Sequence, residues 1–335
     1  MIISRSRTRV ALASLAICIA TLLNVSASGA ASADVTKIDL GYLPVSSDGA
    51  VILGVSKGFF RAEGLDVTPH VAQSGAALIP AVVSGQYQFA HSNNLSLLLA
   101  VGKGLPVRAV HIVSSAGSDP APSMGDLVVA KNSTITTPGQ LAGKTIAVNG
   151  LNSTPHLATM VTLQNAEVDV GKVNFVQLNY PDMPLALEQG RVDAAEIDMP
   201  SLATAFSEGE KSIAHVYREI AQDLPISSWF TTAAYIDSHP DVVERFMRAV
   251  AKSNAYATAH PDELKKFMPT YMKIKPDLAT KIALDNYPVG LPSLEILTKE
   301  ASLAAHFGIV DKAPDASLLL TPAVQKMAKS LPHTP

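Results

Sequence analysis

The chain has 335 residues, 47% of them apolar, with 26 lysines and arginines against 29 aspartates and glutamates and a net charge of −3. That length suffices for one large domain or two medium ones, and the near-neutral balance lacks the basic stripe of a nucleic-acid binder. The single cysteine, Cys18, falls in a leader, and the histidines form neither an HExxH motif nor a close pair, so the rest of the chain has no disulfide, no thiol nucleophile and no expected metal site.

In chain order, Arg5, Arg7 and Arg9 precede an apolar run from Val10 to Leu23, and Ala31 and Ala33 provide the small-x-small pattern of signal peptide cleavage near Ala33. The run is short for a transmembrane anchor. Export and release into a periplasm is expected. The alternative is a lipoprotein anchored through Cys18, although Ile17 stands where a lipid-attachment box wants a small residue.

Lys37–Leu43 alternates, with Ile38, Leu40 and Tyr42 on one face, and predicts a strand. A polar loop, Ser46-Ser47-Asp48-Gly49, leads into an apolar-periodic stretch from Ala50 to Phe60. A second strand is expected at Leu65–Val71, followed by Gln73-Ser74-Gly75 and a helix Ala76–Ser84. A third strand ending at Phe89 and Ala90 is followed by His91-Ser92-Asn93-Asn94, which opens a helix Leu95–Gly102. Strand, polar loop and helix recurring in this way argue for right-handed β-α-β units.

Val107–Val113 reads as a buried strand, and the loop Ser114–Gly125 as a crossover into a second lobe that opens with a strand Asp126–Ala130. There Ile146–Asn149, Val173–Leu178 and Val192–Ile197 read as strands. Helices are expected from Pro155 to Asn165, Met183 to Gln189 and Leu202 to Phe206. Pro225–Tyr235, with the only tryptophan, Trp229, reads as the return crossover. Ser238 and Asp241 resemble a capping box. The stripe Val243, Phe246, Met247, Val250 and Ala251 behind it is core. Pro261–Met272, Lys275–Tyr287 and Ser293–Phe307 read as further helices, and the tail after Pro322 as peripheral.

An ordered set of short pieces carries a family resemblance. It comprises Gly41-Tyr42; Gly58-Phe59-Phe60 with Glu63-Gly64-Leu65; Gly75 with Val83-Ser84-Gly85 and Phe89; Leu141-Ala142-Gly143-Lys144-Thr145-Ile146-Ala147-Val148; and Gly190-Arg191-Val192-Asp193-Ala194-Ala195 running to Pro200. The Gly-Lys-Thr is no P-loop, because the upstream glycine spacing is wrong. From about Lys37 to Leu320 the chain resembles the substrate-binding components of ABC importers of the alkanesulfonate, taurine, nitrate and thiamine-precursor family.

The resemblance implies an α/β, two-lobed, type II periplasmic-binding-protein-like fold: two mixed sheets flanked by helices and joined by two crossover segments. It divides the chain into a signal peptide (1–33), a first lobe (34–125 and, with the C-terminal helices, 229–335) and a second lobe (126–228). It implies a monomer that captures a small-molecule ligand and delivers it to an inner-membrane ABC permease, with no cofactor, no metal and no catalytic residue. Helix N-termini facing such a cleft offer unpaired N–H groups to anionic oxygens.

The candidate ligand contacts lie in loops after strands: Ser46, Ser47 and Asp48; Gln73, Ser74 and Gly75; Ser92, Asn93 and Asn94; and Asn152, Ser153, Thr154 and His156, which match the family's Ser-rich helix opening. All of these could instead only cap helices. The resemblance places Asn94 at a position of ligand contact. At Asp198-Met199-Pro200 the chain departs from the family: Asp198 takes the aromatic position and Met199 the acidic one. A carboxylate there would repel a bare sulfonate or nitrate and favour an ammonium, an amidine-like ring or hydroxyl and N–H donors. Trp229 either stacks on ligand or packs under the hinge. Two alternatives remain, a ligand sensor docking on a receptor and an enzyme on the same scaffold. Enzymes of related folds depend on cysteines that the mature chain lacks, and no Gly-x-Ser-x-Gly elbow is present.

Overall fold

The strand alternation and helix-opening loops of the sequence organise two mixed sheets in the computed structural model, which describes residues 35–117 and 124–331. The leader, its cleavage site near Ala33 and Cys18 lie outside the described residues. The first sheet is built from β1 (Thr36–Tyr42), β2 (Leu65–Val71), β3 (Phe89–Asn93) and β4 (Val107–Ser115), and the second from β5 (Gly125–Val129), β6 (Thr145–Val148), β7 (Asn174–Gln177), β8 (Ala194–Asp198) and β9 (Lys211–Ala214). The chain then returns as β10 (Pro225–Thr232). The strand orders are β2-β1-β3-β10-β4 and β7-β6-β8-β5-β9.

Within each sheet, helical crossovers make β1, β2 and β3, or β6, β7 and β8, run parallel. The strand that has come from the other sheet runs antiparallel to its neighbours: β10 to β3 and β4, and β5 to β8 and β9. At the start of the passage out of the first sheet, Ser115 is opposite Pro225 of β10 and Ala116 N donates to Leu224 O.

Several sequence expectations are corrected here. Pro225–Tyr235, read as the return crossover, re-enters the first sheet as a strand: β10 lies between β3 and β4, with Trp229 opposite His91 and His111. Pro225–Ser228 accordingly belong to the first sheet, ahead of the expected boundary at 229. Strand β3 runs on through His91, Ser92 and Asn93, so these are strand residues and not a loop. β9 was not anticipated from the polar Lys211-Ser212 start. Ser238 closes the helix Ala233–Ser238 with its hydroxyl on Ala234 O, while His239 occupies the N-cap of Pro240–Ala259, so the capping box does not form. Of Lys275–Tyr287 only Pro276–Lys281 is helical. The tail is not wholly peripheral, since Val324 and Leu331 are buried in the first-lobe core.

That core packs Phe60, Phe89, Trp229 and Phe246, with Phe89 and Phe246 stacked at 3.8 Å between centroids. Each such fully buried aromatic contributes about 1.5–3 kcal/mol by burial alone. A second apolar cluster crosses between the sheets. It joins Ala50 and Leu53 of the helix Gly49–Ser56 to Met199, Leu202 and Ala203 of the second lobe through Leu264, Met268, Ile282 and Tyr287. The helices Pro261–Met272 and Pro276–Lys281 thus form an arm between the lobes.

Candidate functional site

A cavity of about 270 Å³ opens where the carboxyl ends of β1, β2, β6, β7 and β8 converge. The first lobe supplies Leu43, Pro44, Val45 and Gln73 to its wall, the second supplies Asn149, Asn179, Tyr180, Ser201 and Thr204, and the arm adds Met272, Lys273 and Ile274. Such a crevice at strand ends is where open α/β sheets bind ligands.

Two helices begin at this wall without a side-chain cap. One is Ser201–Glu208 behind Pro200, and the other is Gly75–Val83 behind Ser74. Their first N–H groups have no intrahelical partner and are available to an acceptor. Gly75 is required by close approach: a Cβ there would meet the Cα of Ser92 at 2.7 Å. Lys273, the residue that ends Pro261–Met272, takes a left-handed φ of 57° on the cavity wall. A non-glycine residue held there is strained, and such strain collects at functional positions.

Beside the cavity stands a buried polar wall. Asp48 accepts from Leu43 N at 2.6 Å with Oδ2, and His91 Nδ1 donates to its Oδ1 at 2.6 Å. This fixes the turn after β1. Tyr271 OH donates to Val45 O at 3.0 Å and Tyr287 OH to Ser46 O at 2.8 Å, while Ser46 Oγ donates to Asp285 Oδ1 at 2.7 Å. Ser46 N reaches across to Met199 O at 3.3 Å. In the second lobe Tyr180 OH and Tyr217 OH each lie 2.9 Å from an oxygen of Asp198, and Tyr217 OH lies 3.1 Å from Glu196.

Burial pushes the carboxyls of this wall up. Desolvation is the leading cause for Asp285, raised from 3.8 to about 7 with Asp198 and Asp48 adding to it, and for Asp198 and Glu196, which are both raised. The phenols of Tyr180, Tyr217, Tyr271 and Tyr287 are raised for the same first reason and stay protonated donors.

The structure brings together some of the expected contacts and not others. Gln73 lines the cavity, and Ser46, Ser47, Asp48 and Asp198 lie in or against the polar wall. Asn93 caps Asn94–Gly102, accepting from Ser96 N at 2.9 Å, and the same Oδ1 accepts from Thr154 N at 3.1 Å in the other lobe. Leu95 N donates back to Thr154 Oγ1 at 3.1 Å.

Asn94 turns away to β10, donating to Pro225 O at 2.6 Å and accepting from Ser228 Oγ at 2.8 Å. Ser92 is fully buried with its hydroxyl unpartnered. Ser153 caps the helix Thr154–Asn165 and donates to Gly150 O. Asn152 is exposed at a φ of 57°. His156 lines a different cavity, edge-on to Phe175 at 4.4 Å, with Nδ1 accepting from Asn152 N. Burial lowers its pKa from 6.5 to about 4. Trp229 packs in the first-lobe core against Phe246.

Sequence reasoning missed His91 as a partner of Asp48, and also Tyr180, Tyr217, Tyr271, Asp285 and Tyr287. The Asn179-Tyr180-Pro181 segment after β7 follows the same strand-end logic as the loops that were singled out, and is the one signal that could have added a member. Among the described residues no cluster of His, Cys, Asp or Glu is arranged to hold a metal, and no helix is long and apolar enough to cross a membrane.

The family model described as NMT1/THI5 like matches residues 48–264. The taurine-binding periplasmic protein of Escherichia coli (strain K12) is 27% identical over 231 residues, spanning 68% of this chain and 69% of that protein. Among solved structures, the ligand-binding component of an ABC-type import system from Staphylococcus aureus, with zinc bound, superposes with a TM-score of 0.75 at 17% identity, over 88% of this chain and 99% of its own. The alkanesulfonate-binding protein of Xanthomonas axonopodis pv. citri, bound to MOPS, gives 0.70 at 17% identity over 86% and 97%. The periplasmic nitrate-binding protein of Synechocystis PCC 6803 gives 0.69 at 11% identity over 89% and 86%. At these identities the structures share their fold with this chain.

Proposed function

The chain belongs to the NMT1/THI5-like family and has the periplasmic-binding-protein fold, and from that premise we propose that it is an extracytoplasmic solute-binding protein. It closes two lobes on a small polar organic molecule, of sulfonate or taurine-like, carboxylate or pyrimidine-like chemistry, and delivers it to an ABC permease. The observation that carries this reading is the cavity walled by strand ends of both sheets and by the arm between them.

Gln73 and the uncapped N-termini at Gly75 and Ser201 supply donors to the solute's acceptor atoms, and the Ser46–Asp48 turn and Asp198 supply the acceptors opposite. Asn93 and Thr154 couple closure to binding, because their hydrogen bonds cross the lobes. The relatives from Escherichia coli, Xanthomonas axonopodis and Synechocystis described above are named as binding proteins, and in this reading the protein acts without catalysis, as an exported monomer released after Ala33. Hinge motion about the two interlobe passages opens and closes the cleft.

The test is a thermal-shift screen of the mature protein with taurine, alkanesulfonates, nitrate, aromatic acids and pyrimidines. A solute at about 100 times its Kd stabilises by roughly 2.7 kcal/mol, a readily measured rise in Tm. A flat response across the whole panel refutes this reading.

A further inference from the structure

We propose that Lys273 is the charge-selecting residue of the cleft, and that it fits the cavity to a small organic anion with an apolar body, in preference to a zwitterion. The inference rests on the solute-binding reading above and deepens it, by naming the class of solute and the residue that chooses it.

Among the described residues Lys273 is the only charged one that lines the 270 Å³ cavity. It is exposed, and no acidic side chain among the described residues forms an ion pair with it. It comes from neither sheet but from the arm, at the end of Pro261–Met272. The helix Ser201–Glu208 opens on the same wall, with Ser201 in the lining and no side-chain cap on its first N–H groups. A lysine ammonium and a helix N-terminus each attract an anion, and together on one wall they set the sign of the group bound there.

The rest of the wall is largely apolar, with Leu43, Val45, Met272 and Ile274 beside Pro181 and Pro184, while Gln73, Asn149 and Asn179 add neutral amides. Tyr180 also lines the cavity, but it turns its hydroxyl to Asp198 at 2.9 Å and so presents its ring. Asp198, engaged by Tyr180 and Tyr217, and Asp48, engaged by His91 and Leu43 N, stand behind the wall and outside its lining. Set back in this way, they remain acceptors for a neutral N–H or O–H and leave a positive charge on the solute without a facing partner. Placing the ammonium of a zwitterion against this surface costs its hydration with no opposite charge to replace it. An alkyl or aryl group gains there by leaving water. At about 270 Å³ the cavity lies just below the roughly 300–1,000 Å³ of most small-molecule sites, which keeps that body small.

The test is isothermal titration of the intact mature protein with two matched pairs. Propanesulfonate carries a methyl where taurine carries the ammonium, and benzenesulfonate differs from benzenesulfonamide chiefly in charge. In each pair the first member should bind wild type at least about tenfold more tightly than the second. Lys273→Gln should bring the ratio of the second pair towards one and leave propanesulfonate ahead of taurine, whereas Lys273→Arg should keep both preferences. A lysine that served only the helix C-terminus would instead change the Tm of the ligand-free protein and leave both ratios as they are. Should Lys273→Gln fail to fold, Lys273→Asn, whose side chain tolerates a left-handed φ, takes its place.

Taurine bound as tightly as propanesulfonate, equal affinity for benzenesulfonate and its amide, or a preference within that pair that survives Lys273→Gln would each overturn the inference. In all three cases the solute-binding reading stands. If none of the four binds, the inference falls, and the wider thermal-shift panel decides whether solute binding falls with it.

Discussion

Replacing Glu300 by glutamine should change stability little at about pH 4.5 and below, and should stabilise the protein progressively as the pH rises towards about 8. Glu300 is fully buried on the helix Leu294–His306, with Oε2 accepting from Thr154 Oγ1 at 3.2 Å and Oε1 unpartnered. Burial pushes its carboxyl from 4.5 up to about 8, only partly opposed by Thr154. A carboxyl raised on folding contributes stability that is fully present below the unfolded pKa. That stability drains away as pH climbs from near 4.5 and is gone once pH has passed about 8.

Inside that window each pH unit removes about 1.4 kcal/mol for one group. Between about pH 6 and about pH 9 the wild-type chain therefore loses roughly 2–3 kcal/mol that Glu300→Gln does not, since all other groups titrate alike in both. Glutamine keeps the size of the side chain and an oxygen to accept from Thr154. The assay is urea unfolding followed by circular dichroism at the two pH values, for both proteins. A difference between the two that stays flat across the range would refute the assignment of a neutral, desolvated Glu300 at the interlobe joint.

Two further outcomes follow from contacts within the first lobe. Asn94→Ala should cost about 1–3 kcal/mol in unfolding free energy, because it strands Ser228 Oγ and Pro225 O in the buried seam between the start of the Asn94–Gly102 helix and β10. A variant as stable as wild type would show that seam to be dispensable. Gly54→Ala should destabilise by about 1–3 kcal/mol, since its Cβ would overlap Ser253 Oγ where Gly49–Ser56 packs on Pro240–Ala259. Combined with Ser253→Gly in a double-mutant cycle, the loss should be smaller than the sum of the single losses, and strict additivity would contradict the overlap.

Much of the fold was legible because β-α-β units repeat one local grammar. The alternation in Lys37–Leu43 and the run Leu65–Val71 placed β1 and β2, and the glycines and polar loops between them marked the crossovers. Where the prediction failed, distant contacts outweighed local pattern. Ser227, Ser228, Thr231 and Thr232 give β10 a polar, loop-like composition. Yet all but Thr232 are buried, because Asn94 and the backbone of Gln88 take up the hydroxyls of Ser228 and Thr231. Ile282 and Ala283 prolong the helical period of Pro276–Lys281. They are instead drawn into the apolar cluster that also holds Leu202 and Ala203, and the chain becomes extended.

The site divides along the same line. Loops that open helices after strands could be named from sequence, since any doubly wound sheet sends them to one edge. The direction of each side chain could not, because it depends on what faces it: Asn93 looks across to Thr154, Asn94 back to β10, His156 to Phe175, and Trp229 into the core. Asp48 and Asp198 could be named singly from sequence, but their meeting with Asp285 could not. Asp48, Asp198 and Asp285 come from a turn, a strand end and an extended stretch. Asp285 meets Ser46 across a sequence separation of 239 residues, so no window of sequence contains the cluster. A family match transmits the scaffold, in which uncapped helix ends favour anions. The acids set into that scaffold are oriented by partners distant in the chain, Ser46 for Asp285 and Tyr180 and Tyr217 for Asp198, so their arrangement follows from the fold and not from local pattern.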